Sequence, residues 1–208
     1  MNREELESAI AAGAVIIDVR PVDEFVREHL ANSVFIRLNR QTFPAVLRAC
    51  VSPGSPVVLV VASEGAGEAA KKLVTAGGEY RMVGTIFTEV GGIRSMGCPT
   101  ESVGVIGVTE LAARIARPER DLRLVDVREP FEWKLGYIEG STLISLKDVR
   151  AASRQWKRSG AEVICICEEG FRSTSAASLL KRDGVRGVKS VKGGIAEWFS
   201  SGRPLKEA

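Results

Sequence analysis

The chain has 208 residues, 45% hydrophobic and 26% charged, an ordinary globular composition with length for one large domain or two of about 100 residues each. Its apolar runs, such as Val57 to Ala62, fall far short of the roughly 20 residues of a membrane span, and MNREELESAIAAG has acidic residues and no apolar signal-peptide core. Lys and Arg number 29 against 26 Asp and Glu, a net +3 spread along the chain, so the expectation is a cytoplasmic, unprocessed protein with neither nucleic acid nor membrane as partner.

In chain order, Asn2 with Glu5 three residues on predicts a capping box opening a first helix. The stretch from Ile16 to Leu38 is then echoed by Leu124 to Leu146 at an offset of 108, with identities at Asp18/Asp126, Val19/Val127, Arg20/Arg128, Glu24/Glu132, Ser33/Ser141, Ile36/Ile144 and Leu38/Leu146. The register continues: residues 56–67 match 161–172, and Gly91-Gly92-Ile93 matches Gly193-Gly194-Ile195. A repeat of this length is a domain rather than a solenoid unit, and the pattern predicts domains at 1–101 and 102–208, linked within Cys98 to Gly107.

The second copy predicts a helix near Thr109, a strand over Leu122 to Val125, a helix from Glu129 and a strand over Thr142 to Ser145. An amphipathic helix over Lys147 to Arg158 follows, then a strand at Val163 to Ile166, a helix from Arg172 to Arg182, a strand at Val188 to Val191 and a last helix over Gly194 to Phe199. Continuous β-branched runs between helices predict the α/β class, with a mostly parallel sheet covered on both faces in each domain.

Four cysteines, Cys50, Cys98, Cys165 and Cys167, are too few for a disulfide scaffold, and one histidine, His29, leaves little for a metal site or a Cys-His pair. The informative stretch is VICICEEGFRSTSAASLLKR, where an apolar strand ends at Cys167 and a helix-forming run begins at Arg172. Open α/β sheets bind ligands at the carboxyl ends of strands, beside helix N-termini. A loop closing there aims backbone N–H groups and the helix dipole at the sulfur, Gly170 allows a positive φ, and Arg172 supplies a permanent cation. Such a nucleophile needs no neighbouring base.

The loop Cys167-Glu168-Glu169-Gly170-Phe171-Arg172-Ser173 resembles the C-x-x-G-x-R-S active-site loop of rhodanese-type sulfurtransferases. Around it, Leu124-Val-Asp-Val-Arg-Glu, the stretch from Glu132-Trp133 to Gly140-Ser141, and Val191-Lys-Gly-Gly-Ile-x-x-Trp198 followed by Gly202-Arg-Pro204 are similar to further family segments in the right order. The resemblance spans nearly the whole chain, twice, and implies two rhodanese-like domains. It also implies sulfur transfer through a Cys167 persulfide, with Glu168, Glu169, Gly170, Phe171, Arg172 and Ser173 around the substrate, Asp126 and Arg128 in support, and no cofactor or metal. Small-molecule sulfur donors and acceptors are the expected partners: thiol persulfide or thiosulfate on one side, cyanide, thiol or protein on the other. The domain order resembles the tail of bacterial fusions led by a persulfide dioxygenase, which adds a persulfide-handling protein to the expected partners.

The copies differ where the chemistry lies. In this alignment Ala62 stands opposite Cys167 and Gly67 opposite Arg172, so the first domain is expected to be catalytically silent. Tyr137 replaces the family histidine, and His29 is expected to be structural or exposed. Glu168 and Glu169 make the loop acidic, which disfavours a dianionic donor such as thiosulfate. Cys165 reads as a buried core residue, Asp126 with Arg128 as a structural ion pair, the three tryptophans as seam-closing side chains, and Lys147, Arg150, Arg154, Lys157 and Arg158 as a solvated helix face. Two other functions compete. A phosphatase would use a related loop one residue longer than this C-x4-R, and a non-catalytic tandem module would use Cys167 to sense redox state or dock a partner.

Overall fold

The computed structural model describes residues 1–88, 92–117 and 122–207, and the chain divides into two compact units, Met1–Ser102 and Val103–Ala208. The first runs α1 (Arg3–Ala11), β1 (Val15–Asp18), α2 (Val22–Arg27), β2 (His29–Leu30), β3 (Val34–Phe35), α3 (Phe43–Cys50), β4 (Pro56–Val61), α4 (Glu64–Thr75), β5 (Arg81–Phe87), a 3-10 turn at Ile93–Met96, and β6 (Thr100–Glu101). The second runs β7 (Gly104–Ile106), α5 (Val108–Ile115), β8 (Leu122–Asp126), α6 (Pro130–Trp133), β9 (Thr142–Leu143), α7 (Val149–Ser159), β10 (Glu162–Ile166), α8 (Phe171–Arg182), β11 (Val188–Val191) and α9 (Gly194–Ser200).

Each unit is built on a parallel sheet flanked by helices, in the order β3-β1-β4-β5 in the first and β7-β11-β10-β8-β9 in the second. The central strands β4 and β10 carry PVVLVV and EVICI, nearly every residue of which is buried, because helices cover both sides of a parallel sheet. Local signals start and stop the helices. Asn2 and Glu5 form the expected reciprocal cap on α1, Glu129 and Glu132 do the same for α6 with Pro130 at its first position, and Gly160 ends α7 at φ 68°. On α7 the buried residues Val149, Ser153 and Trp156 recur at helical spacing, leaving Arg150, Arg154, Lys157 and Arg158 on the exposed face.

The boundary between the units, Ser102 to Val103, falls within the stretch Cys98 to Gly107 expected to link them, and that stretch also carries two short strands: β6 pairs antiparallel with β2, and β7 extends the second sheet beside β11. Val103 and Ile106 are buried there, so backbone pairing and apolar burial outweigh the Pro, Gly and Ser that suggest a loop. The strand expected over Thr142 to Ser145 stops at Leu143, since Ser145 instead turns the chain, its carbonyl accepting from Asp148 N–H at 2.9 Å. In the match Gly91-Gly92-Ile93, Gly91 lies outside the described residues. Among the described residues no helix is long and apolar enough to cross a membrane.

Leu111, fully buried on α5, packs in one apolar cluster with Ile164, Ile166, Val191 and Trp198. Leu111→Ala is expected to destabilise the second unit by about 2–5 kcal/mol, the usual cost of such a cavity. Urea unfolding followed by tryptophan fluorescence checks this, because all three tryptophans, Trp133, Trp156 and Trp198, belong to that unit.

Candidate active site

Cys167 follows the last residue of β10, at the carboxyl end of the sheet, and is 1% exposed. Three residues later Gly170 caps α8 at φ 100°, in the left-handed region that favours glycine. Its N–H donates to Cys167 Sγ at 3.2 Å, so the start of α8 is turned onto the sulfur. A side chain at Gly170 would press on the Val191 carbonyl at 3.1 Å, a second reason for glycine there.

Behind the sulfur lies a hydroxyl cluster. Ser173 Oγ accepts from Cys167 Sγ at 3.5 Å, donates to the Gly170 carbonyl at 3.0 Å, and lies 2.8 Å from Ser190 Oγ on β11. Thr174 donates to the same carbonyl at 2.7 Å. Ser173, Thr174 and Ser190 are all buried, so this network fixes the first turn of α8 against β11.

The loop is also held from the other side. Ile195 N–H on α9 donates to the Cys167 carbonyl at 2.8 Å, and Ala196 N–H donates to the Glu168 carbonyl at 3.0 Å. In a trans peptide the C=O and N–H point opposite ways, so the Glu168 and Glu169 N–H groups face away from α9. This approach needs Gly194, at φ 60°, because any side chain there would overlap the carbonyls of Cys167 and Glu168.

Two ion-pair systems flank the loop. Arg172, at the second position of α8, is clamped by Glu132 through two hydrogen bonds of 2.6 Å, from Nη1 to Oε2 and from Nη2 to Oε1. Those bonds, helped by Cys167 and Glu132 charge against the opposing effect of burial, push the guanidinium pKa up. Asp126 is fully buried and takes Arg128 Nε and Nη2, while Arg128 Nη2 also reaches the Gly136 carbonyl at 2.7 Å and Nη1 meets Glu168 at 3.4 Å. Burial by itself would lower the Arg128 pKa, but its carboxylate partners reverse that and hold it raised. Glu169 is exposed, and Phe171 opens α8. Cys165, expected in the core, is fully buried, and burial pushes its thiol well above the ordinary range.

A sequence model of the Rhodanese-like domain matches residues 2–92 and 107–201. The chain belongs to the rhodanese-like family. Among its relatives, a protein named "Sulfurtransferase" from Allochromatium vinosum is 29% identical over 103 residues, 50% of this chain and 94% of that one. "Probable adenylyltransferase/sulfurtransferase MoeZ" from Mycobacterium tuberculosis is 30% identical over 86 residues, 41% of this chain but 22% of its own length, so the chain spans about a fifth of that relative. A solved rhodanese-related protein from Thermoplasma volcanium is 30% identical, with a TM-score of 0.45, covering 50% of this chain and 99% of its own.

Strand register corrects the alignment of the two rhodanese-like units. Asp18 pairs with Val60 and Asp126 with Ile166, so the residue equivalent to Cys167 is Val61 rather than Ala62. Ser63 caps α4 two residues after Val61, where Gly170 follows Cys167 by three, so the first loop is one residue shorter and an ungapped alignment slips. The second position of α4 is Gly65, the counterpart of Arg172. Of the other first-unit cysteines, Cys50 ends α3 and is buried, while Cys98 follows the turn after Ile93–Met96, and neither closes a strand. His29 is buried, with Nδ1 2.7 Å from the Phe25 carbonyl and its ring stacked on Phe25 at 4.0 Å, a structural role.

Sequence reasoning gave Glu132 no role, although its identity with Glu24 was a usable signal. Glu24 stays half-exposed with Arg20 at 3.9 Å, whereas Glu132 is drawn in by Arg172, a residue the first unit lacks. Ser190 was also missed, and its signal was a hydroxyl set beside Val191 and two residues after Val188, the buried apolar positions of a short strand.

Two outcomes follow from this geometry. Gly194→Ala is expected to lower stability by about 1–3 kcal/mol through backbone strain and to reduce Cys167 alkylation by iodoacetamide at least severalfold, read by thermal unfolding and peptide mass. For Glu132, burial would raise the carboxyl, yet Arg172 and the Glu129 N–H outweigh it and hold the pKa below the usual range. A depressed folded-state value means the stabilisation is present above the unfolded glutamate pKa and lost as pH falls through the folded one. The stability difference between wild type and Glu132→Gln should therefore be largest near neutrality and shrink in acid, as urea titrations at several pH values would register.

Proposed function

We propose that the protein is a sulfurtransferase whose nucleophile is Cys167, and that it moves sulfane sulfur from a thiol persulfide or thiosulfate to a thiophilic acceptor such as cyanide, a thiol or a protein thiol. The Cys167 thiolate attacks the outer sulfur of the donor, the donor's S–S bond breaks, and the donor thiolate, or sulfite from thiosulfate, leaves with the bond's electron pair. Cys167 then carries one extra sulfur. An acceptor nucleophile takes that sulfur and the thiolate returns, so two displacements complete the cycle with no net change in redox state and no outside oxidant.

The observation that carries this reading is the Gly170 N–H directed at Cys167 Sγ where a strand turns into a twelve-residue helix. A donor N–H at the positive end of a helix favours negative charge on sulfur in the thiolate and in the persulfide. Ser173 serves either state: its oxygen accepts from an S–H, and its hydroxyl proton can rotate toward a thiolate while Ser190 keeps the oxygen in position. The sulfurtransferase names of several relatives support the same class. The first unit, with Val61 and Gly65 in the equivalent positions, offers neither thiol nor cation, and we assign it no persulfide step.

Incubating the protein with glutathione persulfide and, separately, with thiosulfate should add one sulfur to the peptide containing Cys167. Cyanide should remove it, and Cys167→Ser should abolish it. Sulfur on Cys50 or Cys98 in place of Cys167, or no loading from either donor, contradicts the reading.

A further inference from the structure

Resting on that sulfurtransferase reading, we infer that the charges around Cys167 favour sulfur donors without net negative charge: the site prefers neutral or cationic thiol persulfides to dianions such as thiosulfate, which it turns over less efficiently, with Glu168 as the specificity-determining residue. The acidic sequence of the loop raises the question, but only the pairing pattern answers it, since two arginines beside a cysteine would otherwise suit an anion well.

Both arginines are already occupied. Arg172, the cation closest to the sulfur in sequence terms and one that interacts with it electrostatically, gives both terminal nitrogens to Glu132. Arg128 gives Nε and Nη2 to buried Asp126, its Nη2 also to the Gly136 carbonyl, and its Nη1 to Glu168. An arriving sulfonate would have to displace a carboxylate from a bidentate, partly buried pair, leaving that carboxylate unpaired, a costly exchange.

The remaining groups make the rim negative. Glu129 caps α6 beside Glu132 and bears electrostatically on Arg172, and Glu168 and Glu169 lie in the loop itself. Lys192, exposed on the turn after β11, adds a cation where the backbone approaches Gly170, and Glu197 packs over Gly193 on the same turn. Among the described residues of the loop, its ion-pair partners and the adjoining turns, six carboxylates thus stand against three cations. Glu168 is the member most able to act on a substrate, since it adjoins the nucleophile and its side chain is 46% exposed.

The test measures kcat/KM for thiosulfate and for cysteamine persulfide, a cationic donor, with cyanide as acceptor, at low and high salt. For wild type, raising NaCl from about 20 to about 200 mM should raise the thiosulfate value at least about twofold and lower the cysteamine persulfide value, because screening weakens repulsion and attraction alike. Glu168→Gln should raise the ratio of thiosulfate to cysteamine persulfide by about three- to tenfold, the effect of one charge near a dianion, whereas Glu168→Asp keeps the wild-type ratio and salt slope.

A thiosulfate rate that falls with salt, or a ratio that Glu168→Gln leaves unchanged or lowers, overturns the inference while Cys167 still acquires sulfur. Failure of every donor to load Cys167 removes the sulfurtransferase reading, and the inference with it.

Discussion

The site depends on one close backbone approach, that of α9 to the loop after β10. Two N–H groups at the start of this helix take the carbonyls of Cys167 and Glu168, which only a glycine at position 194 permits. Once those carbonyls face α9, planarity sends the following N–H groups the other way, and Gly170, itself in a left-handed conformation, brings a further N–H onto the sulfur. The loop is held by backbone contacts on both sides of a single turn. It is therefore preorganised for charge on sulfur rather than arranged by a ligand.

A second constraint is common to the two units. Asp18 with Arg20 and Asp126 with Arg128 are buried pairs at the ends of equivalent strands, and each arginine also reaches a carbonyl eight residues on, that of Glu28 or Gly136. The pair ties strand end to the following turn, and its burial makes either partner costly to remove, since the other would be left as a stranded buried charge. Burial pushes the Asp18 carboxyl upward, against the pull of Arg20. The buried ion pair is thus repeated in both units, while the cysteine loop is present in one.

The same contrast governs electrostatics. Glu24 and Glu132 occupy equivalent positions, yet one stays half-exposed and the other is locked onto the arginine of the cysteine loop. A carboxylate already present in the scaffold thereby becomes the partner of the loop cation. It fixes the guanidinium in place and at the same time removes much of its capacity to hold an external anion.

The sequence by itself determined the repeat, the parallel α/β architecture, the helix cap at Asn2, the helix start near Glu129, and the cysteine loop with its glycine and arginine. These rest on local signals, namely β-branched runs, capping residues and a short motif, whose physics acts within a few residues of chain. Tertiary structure decided the rest. It decided that Val61 rather than Ala62 stands opposite Cys167, because strand register is set by pairing with β1 and β8 and a one-residue difference in loop length is invisible to an ungapped comparison. It turned the stretch before α5 into strands, because a free sheet edge and buried apolar positions outweighed local turn preference. And it decided that Arg172 answers to Glu132, 40 residues earlier, since which carboxylate meets a given cation depends on how helices pack, a distance the chain sequence does not encode locally.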